Sequence, residues 1–136
     1  MSRKSVLVVD DHPDTGEVLS RLLQRRGYDA VAALSGEEAL ARLAGALPSV
    51  IVLDVAMPGM NGAELLREIR ANPRLKDIPV VIFSADFSLE RMRELMALGA
   101  QEYLVKGTAG WDAVLTRITS YAKSPPKRLS GPDLLH

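Results

Sequence analysis

The sequence contains no cysteine among its 136 residues, which excludes disulfides and thiolate zinc sites and is compatible with a reducing, cytosolic setting. It has no excess of either charge: 17 Lys and Arg balance 17 Asp and Glu. No electrostatic pull toward nucleic acid or an anionic membrane surface is therefore expected. Long apolar stretches are missing as well. The opening MSRKSVLVVDDH carries an apolar run of only Val6 to Val9, too short for a signal peptide, and no segment approaches the roughly 20 residues of a membrane span. Repeats and low-complexity blocks are absent. What is present is one domain's length of chain, 47% hydrophobic and 25% charged, enough to bury a substantial core.

Short apolar runs alternate with helical stripes. Ser5 to Val9 reads as a strand, and Pro13 to Arg26 carries Val18, Leu19, Leu22 and Leu23 at helical spacing until Gly27 stops it. Tyr28 to Leu34 is the next β-like piece. Ser35, three residues before Glu38, is a capping box opening a helix over Glu37 to Ala44. Ser49 to Leu53 reads as a strand buried on both faces, and Asn61 to Ala71 as a helix with Leu65, Leu66 and Ile69 on one side, broken by Asn72-Pro73. Pro79 to Ser84 is a fourth strand. Leu89, Met92, Leu95 and Met96 form a core-facing stripe on a helix closed by Gly99, Gln101 to Val105 is a fifth strand, and Trp111, Leu115 and Ile118 mark a last helix with Trp111 as an anchor. This alternation predicts an α/β fold: a doubly wound five-stranded parallel sheet in the flavodoxin-like order 2-1-3-4-5, with helices on both faces. Residues 1–122 are expected to form the domain. Residues 123–136, rich in Pro, Gly, Ser and charge, are expected to be a flexible tail or linker remnant, too short for an output domain.

Open α/β sheets bind ligands beyond the carboxyl ends of their strands, at the point where strand order reverses. Those ends carry Asp10 and Asp11, Asp54, Ser84 and Lys106. With the first and third strands adjacent, the three carboxylates crowd together and repel one another unless a cation is present, and hard oxygen ligands on a wet rim suit magnesium. A carboxylate can also attack phosphorus to give an acyl phosphate, for which a metal, an ammonium and a hydroxyl would hold the phosphoryl oxygens. Asp14 reads as a first-turn acid complementing the helix dipole and His12 as a solvated loop histidine.

The segments VLVVDDH, VLDVAMPGMNG, VVIFSA and EYLVK, in this order across about Ser5 to Tyr121, resemble the receiver domain of bacterial two-component response regulators, the single-domain chemotaxis regulators among them. The resemblance implies that a histidine kinase or histidine phosphotransfer protein passes a phosphoryl group to Asp54. It implies magnesium held by Asp10, Asp11, Asp54 and the backbone carbonyl of Val55, Ser84 and Lys106 on the phosphoryl group, and Tyr103 as the switch aromatic. The implied activity is that of a cytoplasmic signalling switch that catalyses only its own phosphorylation and dephosphorylation. It would present the face of the fourth helix, fifth strand and fifth helix to an unknown downstream protein, as a monomer or weak homodimer, without direct contact to nucleic acid or membrane.

Two positions depart from the family pattern. Ala56 stands where a side chain often reaches toward the phosphoryl group, and Gly107 follows the lysine where proline is usual. Before glycine a cis bond is disfavoured, so a trans bond, a mobile loop from Gly107 to Gly110 and a less well aimed Lys106 are expected. Three rival readings remain weaker. A pseudo-receiver that is never phosphorylated is opposed by the intact acid pair, Ser84 and Lys106. A dehalogenase-like phosphatase needs an Asp-x-Asp pattern that adjacent Asp10-Asp11 lack, and a flavodoxin needs a Ser/Thr/Gly phosphate loop after the first strand.

Overall fold

In the computed structural model, which describes residues 4–56 and 61–123, each apolar run is a strand and each strand is followed by a helix. The order along the chain is β1 Ser5–Val9, α1 Pro13–Arg25, β2 Asp29–Ala33, α2 Gly36–Gly45, β3 Val50–Leu53, α3 Gly62–Ala71, β4 Val80–Ser84, α4 Leu89–Ala97, β5 Glu102–Val105 and α5 Trp111–Lys123. All pairings are parallel, and the strands lie in the order β2-β1-β3-β4-β5. The doubly wound sheet expected from the sequence is thus the observed one. The segment expected to be a tail lies outside the described residues apart from Lys123, and so do residues 57–60 of the VLDVAMPGMNG motif.

Alternate residues of the central strands serve two separate cores. Leu7, Val9, Ile51, Leu53 and Ile82 pack against Leu43, Leu65, Leu66, Ile69 and Leu95 on one face. Val6, Val8, Val50, Val52, Val81 and Phe83 pack against Leu19, Leu23, Leu115 and Ile118 on the other. Burial on both faces is why these strands are unbroken apolar runs rather than alternating ones.

The helix starts reflect local chemistry. Pro13 occupies the first turn of α1, where its missing N–H costs nothing. Ser35 Oγ accepts from Glu38 N–H at 3.0 Å, but the Glu38 carboxylate reaches back to Leu34 N–H at 2.9 Å, one residue before the cap. A full reciprocal box forms instead at α3, between Asn61 and Glu64. On α4 the expected core-facing stripe holds only in part. Leu95 is fully buried, whereas Leu89 and Met96 are 60% and 44% exposed. The cause is position: α4 lies toward the β5 edge, and an edge strand gives a helix less sheet to cover than its stripe could occupy.

Candidate functional site

The register of the sheet brings the site together. Val9 pairs with Leu53 across β1 and β3, so Asp10 and Asp54 are the next residues on two adjacent strands. Each is still fixed by a ladder bond, Asp10 N–H to Ala33 O at 3.0 Å and Asp54 N–H to Val9 O at 2.9 Å. Both are buried at 3% exposure. Asp11, one residue farther, is partly exposed.

Lys106 extends the β5 ladder by one rung, its N–H donating to Ser84 O at 2.8 Å. From there its ammonium donates to Asp10 Oδ2 at 2.7 Å and Asp54 Oδ2 at 3.1 Å, and it stands 5.7 Å from the centre of the Phe83 ring. Burial alone would lower its pKa, but the hydrogen bonds and charges of Asp10 and Asp54 outweigh that and hold it above the ordinary lysine value. The expectation of a poorly aimed lysine is corrected here. The Lys106–Gly107 bond is trans and Gly107 adopts φ 84°, yet this freedom begins only after the ladder bond that sets the lysine. Nor is the loop beyond it untethered, since Thr108 Oγ1 donates to Val105 O at 2.8 Å.

His12 is exposed, as expected of a loop histidine, but its ring is turned inward. Nδ1 lies 3.0 Å from Asp10 Oδ1 and 3.2 Å from Asp11 Oδ1, while its backbone N–H donates to Asp10 Oδ1 at 2.9 Å. The Asp11 Oδ1 atom is itself buried and makes no hydrogen bond. One ligand atom from each of Asp10, Asp11, His12 and Asp54 lies within 4.8 Å of the others. An orphaned carboxylate oxygen beside two buried acids is a donor set that fits a hard divalent cation.

The Val55 carbonyl, the backbone ligand that the family resemblance implies, stands beside the start of α3. It accepts Gly62 N–H at 3.3 Å and so is turned toward α3. Ala56 is exposed and its N–H donates to Asp54 Oδ1 at 3.1 Å.

Ser84 is buried at the end of β4, and its Oγ accepts Asp86 N–H at 3.3 Å. Tyr103 donates its hydroxyl to Asp86 O at 2.5 Å, and burial together with the Asp86 charge raises its pKa. Ser84 and Tyr103 therefore interact with each other and both bond to Asp86, a residue that the sequence pattern does not single out. Phe83 is equally inconspicuous there. It reads as one more apolar residue of a strand, yet it lies between the Lys106 ammonium and Trp111, whose ring meets it edge-on at 6.0 Å.

Among the described residues no helix is long and apolar enough to cross a membrane. A family model described as the response regulator receiver domain matches residues 6–118. Two-component response regulator ORR7 of Oryza sativa subsp. japonica is 38% identical over 117 residues, which are 85% of this chain and 54% of that protein. Other curated relatives are spanned over as much as 81% and as little as 14% of their length. The chemotaxis protein CheY4 of Vibrio cholerae superposes with a TM-score of 0.82 at 32% identity, covering 88% of this chain and 99% of that one. The response regulator TrrA of Thermotoga maritima, solved in complex with Mg(2+)-BeF, superposes with a TM-score of 0.75 at 33% identity over 87% of this chain and 98% of its own.

Proposed function

The chain belongs to the response regulator receiver domain family and is a signalling switch of two-component systems, and on that premise we propose that Asp54 is its phosphoacceptor. The observation that carries this is the position of Asp54: buried at the switch point of the sheet, beside Asp10, with the Lys106 ammonium bridging both. The donor is a histidine kinase or histidine phosphotransfer protein. An Asp54 carboxylate oxygen attacks the phosphorus, the P–O bond forms as the P–N bond to the donor histidine breaks, and that imidazole leaves with the bond's electron pair. Hydrolysis of the acyl phosphate by water resets the switch, so the chain catalyses only steps of its own cycle.

Asp10, Asp11, Asp54 and the backbone carbonyl of Val55 would hold magnesium, which would supply the positive charge needed for a second anion to enter this acidic pocket. Lys106 has the reach to pass from the Asp54 carboxylate to a phosphoryl oxygen without leaving Asp10. Ser84 is the hydroxyl drawn toward the phosphoryl group. Because Asp86 joins it to Tyr103, movement of the hydroxyl is transmitted to the aromatic ring as a shift in populations. The face that responds carries Phe87, Leu89 and Met96, exposed at 76%, 60% and 44%, and it takes an as yet unidentified downstream protein. We place this activity in residues 1–122, with residues 123–136 as tail or linker, and in the cytoplasm.

Acetyl phosphate or a cognate kinase should add one phosphoryl mass to the protein only with magnesium present, and Asp54→Ala should abolish the addition. Full phosphorylation of that variant by intact mass would move the acceptor elsewhere. An unmodified wild-type protein under all donors would favour the pseudo-receiver reading.

A further inference from the structure

We propose that His12 is a fourth side-chain ligand of the cation at this site, so that the site selects a transition-metal ion such as Mn2+, Co2+ or Ni2+ over Mg2+. The inference rests on the cation site described above and concerns a residue outside the carboxylate set.

Three observations point the same way. First, the ring presents Nδ1 to the acids at 3.0 and 3.2 Å from Asp10 Oδ1 and Asp11 Oδ1. Neighbouring donors on an octahedral ion with bonds of about 2.1 Å stand about 3.0 Å apart, so each of these two nitrogen–oxygen separations is close to one edge of such a shell. Opposed donors on the same shell stand about 4.2 Å apart, and one ligand atom from each of the four residues lies within 4.8 Å of the others, close to the size of such a shell. Second, Asp11 Oδ1 is buried without a hydrogen bond although it lies 3.2 Å from that nitrogen, so this oxygen has acceptor capacity that nothing in the protein uses. Third, the ring's polar contacts lie within the acid cluster itself, its Nδ1 hydrogen-bonding Asp10 Oδ1 at 3.0 Å, so a cation entering there would replace a proton on that nitrogen rather than break a bond to another element. His12 is the N-cap residue of α1 but its side chain makes no cap hydrogen bond. At 66% exposure it can adjust without disturbing the core, while its N–H on Asp10 Oδ1 keeps the backbone beside the acids.

The chemistry of the donors then sets the preference. Carboxylates and water satisfy Mg2+, which prefers oxygen and gives up its waters reluctantly. Imidazole nitrogen suits the later divalent ions, whose affinity for mixed nitrogen and oxygen sites rises from Mn2+ to Ni2+.

Two measurements on the full chain test this. Pulsed EPR of the Mn2+-loaded protein should show 14N coupling from a coordinated imidazole, lost in His12→Ala. Calorimetry should show Ni2+ binding weakened at least about tenfold by His12→Ala, with Mg2+ binding changed less than about threefold. Asp11→Asn should weaken Ni2+ as well, because nitrogen and carboxylate act on one ion. Absence of 14N coupling, an equal loss for Ni2+ and Mg2+, or Ni2+ binding indifferent to Asp11→Asn would overturn the proposal. Equal loss would make His12 a hydrogen-bonding support for the acids. If Asp54 is phosphorylated with Mg2+ while 14N coupling is absent, only this inference fails. If neither Mg2+ nor Mn2+ binds the wild-type protein, the cation site falls with it.

Discussion

Asp10, Asp11 and Asp54 share one pocket but are not equally provided for. Asp10 accepts from Lys106 on one oxygen and from the His12 backbone on the other. Asp54 accepts from Lys106 and from Ala56 N–H. Asp11 has a buried oxygen that makes no hydrogen bond, so it is the acid with most to gain from a cation. Asp11→Asn keeps the shape and removes the charge. It should weaken Mg2+ binding at least about tenfold, roughly 1.4 kcal/mol, without loss of metal-free stability. A magnesium titration indifferent to the change would reduce Asp11 to a residue near the start of α1. At this scale the sequence showed which residues converge, because strand ends are readable from apolar runs. It did not show how they point. The inward turn of His12 and the aim of Lys106 depend on buried charge contributed by a different strand, which local reasoning about Gly107 could not weigh.

At the scale of elements, two contacts hold the site's framework. Gly62 opens α3 against the β3 end so closely that a Cβ there would lie 2.5 Å from Val55 Cα and 2.8 Å from Asp54 O. Both neighbours are backbone and cannot rotate away. Gly62→Ala should therefore destabilise by on the order of 1–3 kcal/mol and lower the phosphorylation rate by shifting Asp54, whereas Asn61→Ala, which removes only the cap, should cost about 1 kcal/mol. Urea unfolding of the two variants, paired with phosphorylation rates, separates them: equal rates in both would deny that α3 positions Asp54.

The second contact is Arg70, at the end of α3. It makes five hydrogen bonds, to Gly99 O twice, Lys76 O, Ile78 O and Gln101 Oε1, tying the α3–β4 and α4–β5 connections together. Burial lowers its pKa, and the fork is used to capacity. Lysine has no such fork, so Arg70→Lys should cost on the order of 2 kcal/mol despite keeping the charge. A change within about 0.5 kcal/mol would show the carbonyls are as well served by water. The Ser35 cap was legible because its partner lies three residues away, although the reciprocal box expected there forms at Asn61 and Glu64. Arg70 was not, because its acceptors are mostly backbone carbonyls of segments that only the fold brings together.

For the whole molecule, the sheet sorts its side chains by position. Apolar residues fill two cores on either face, and the fully buried charged residues among those described, Asp10 and Asp54, stand at the carboxyl rim. That sorting arises from the periodicity of five strands, which is why the layers could be read in advance; the strand order came from the common doubly wound arrangement, and element ends moved by a residue or two. It also fixes how global stability responds to pH. On the acid side stands Glu102: burial disfavours its charge, but Arg117 and Tyr121 donate to its two oxygens at 2.7 and 2.8 Å and hold its pKa below the ordinary 4.5. A carboxyl lowered on folding contributes stability that is present above its unfolded value and lost as pH falls through the folded one. Asp86, held down mainly by the Ser88 N–H, adds the same sign. On the alkaline side stands Lys106, raised above 10.5; its contribution is complete below that value and is lost as pH climbs through the folded pKa. Tyr103 and Tyr121, raised from 10.0, fall in the same direction. Stability measured by urea midpoint should thus form a plateau with two flanks. Glu102→Gln should flatten the acid flank alone, and Lys106→Gln should flatten part of the alkaline one, the tyrosines keeping the rest. An acid flank unchanged in Glu102→Gln would mean that the Arg117–Glu102–Tyr121 cluster is dissolved by solvent and contributes nothing to the pH response.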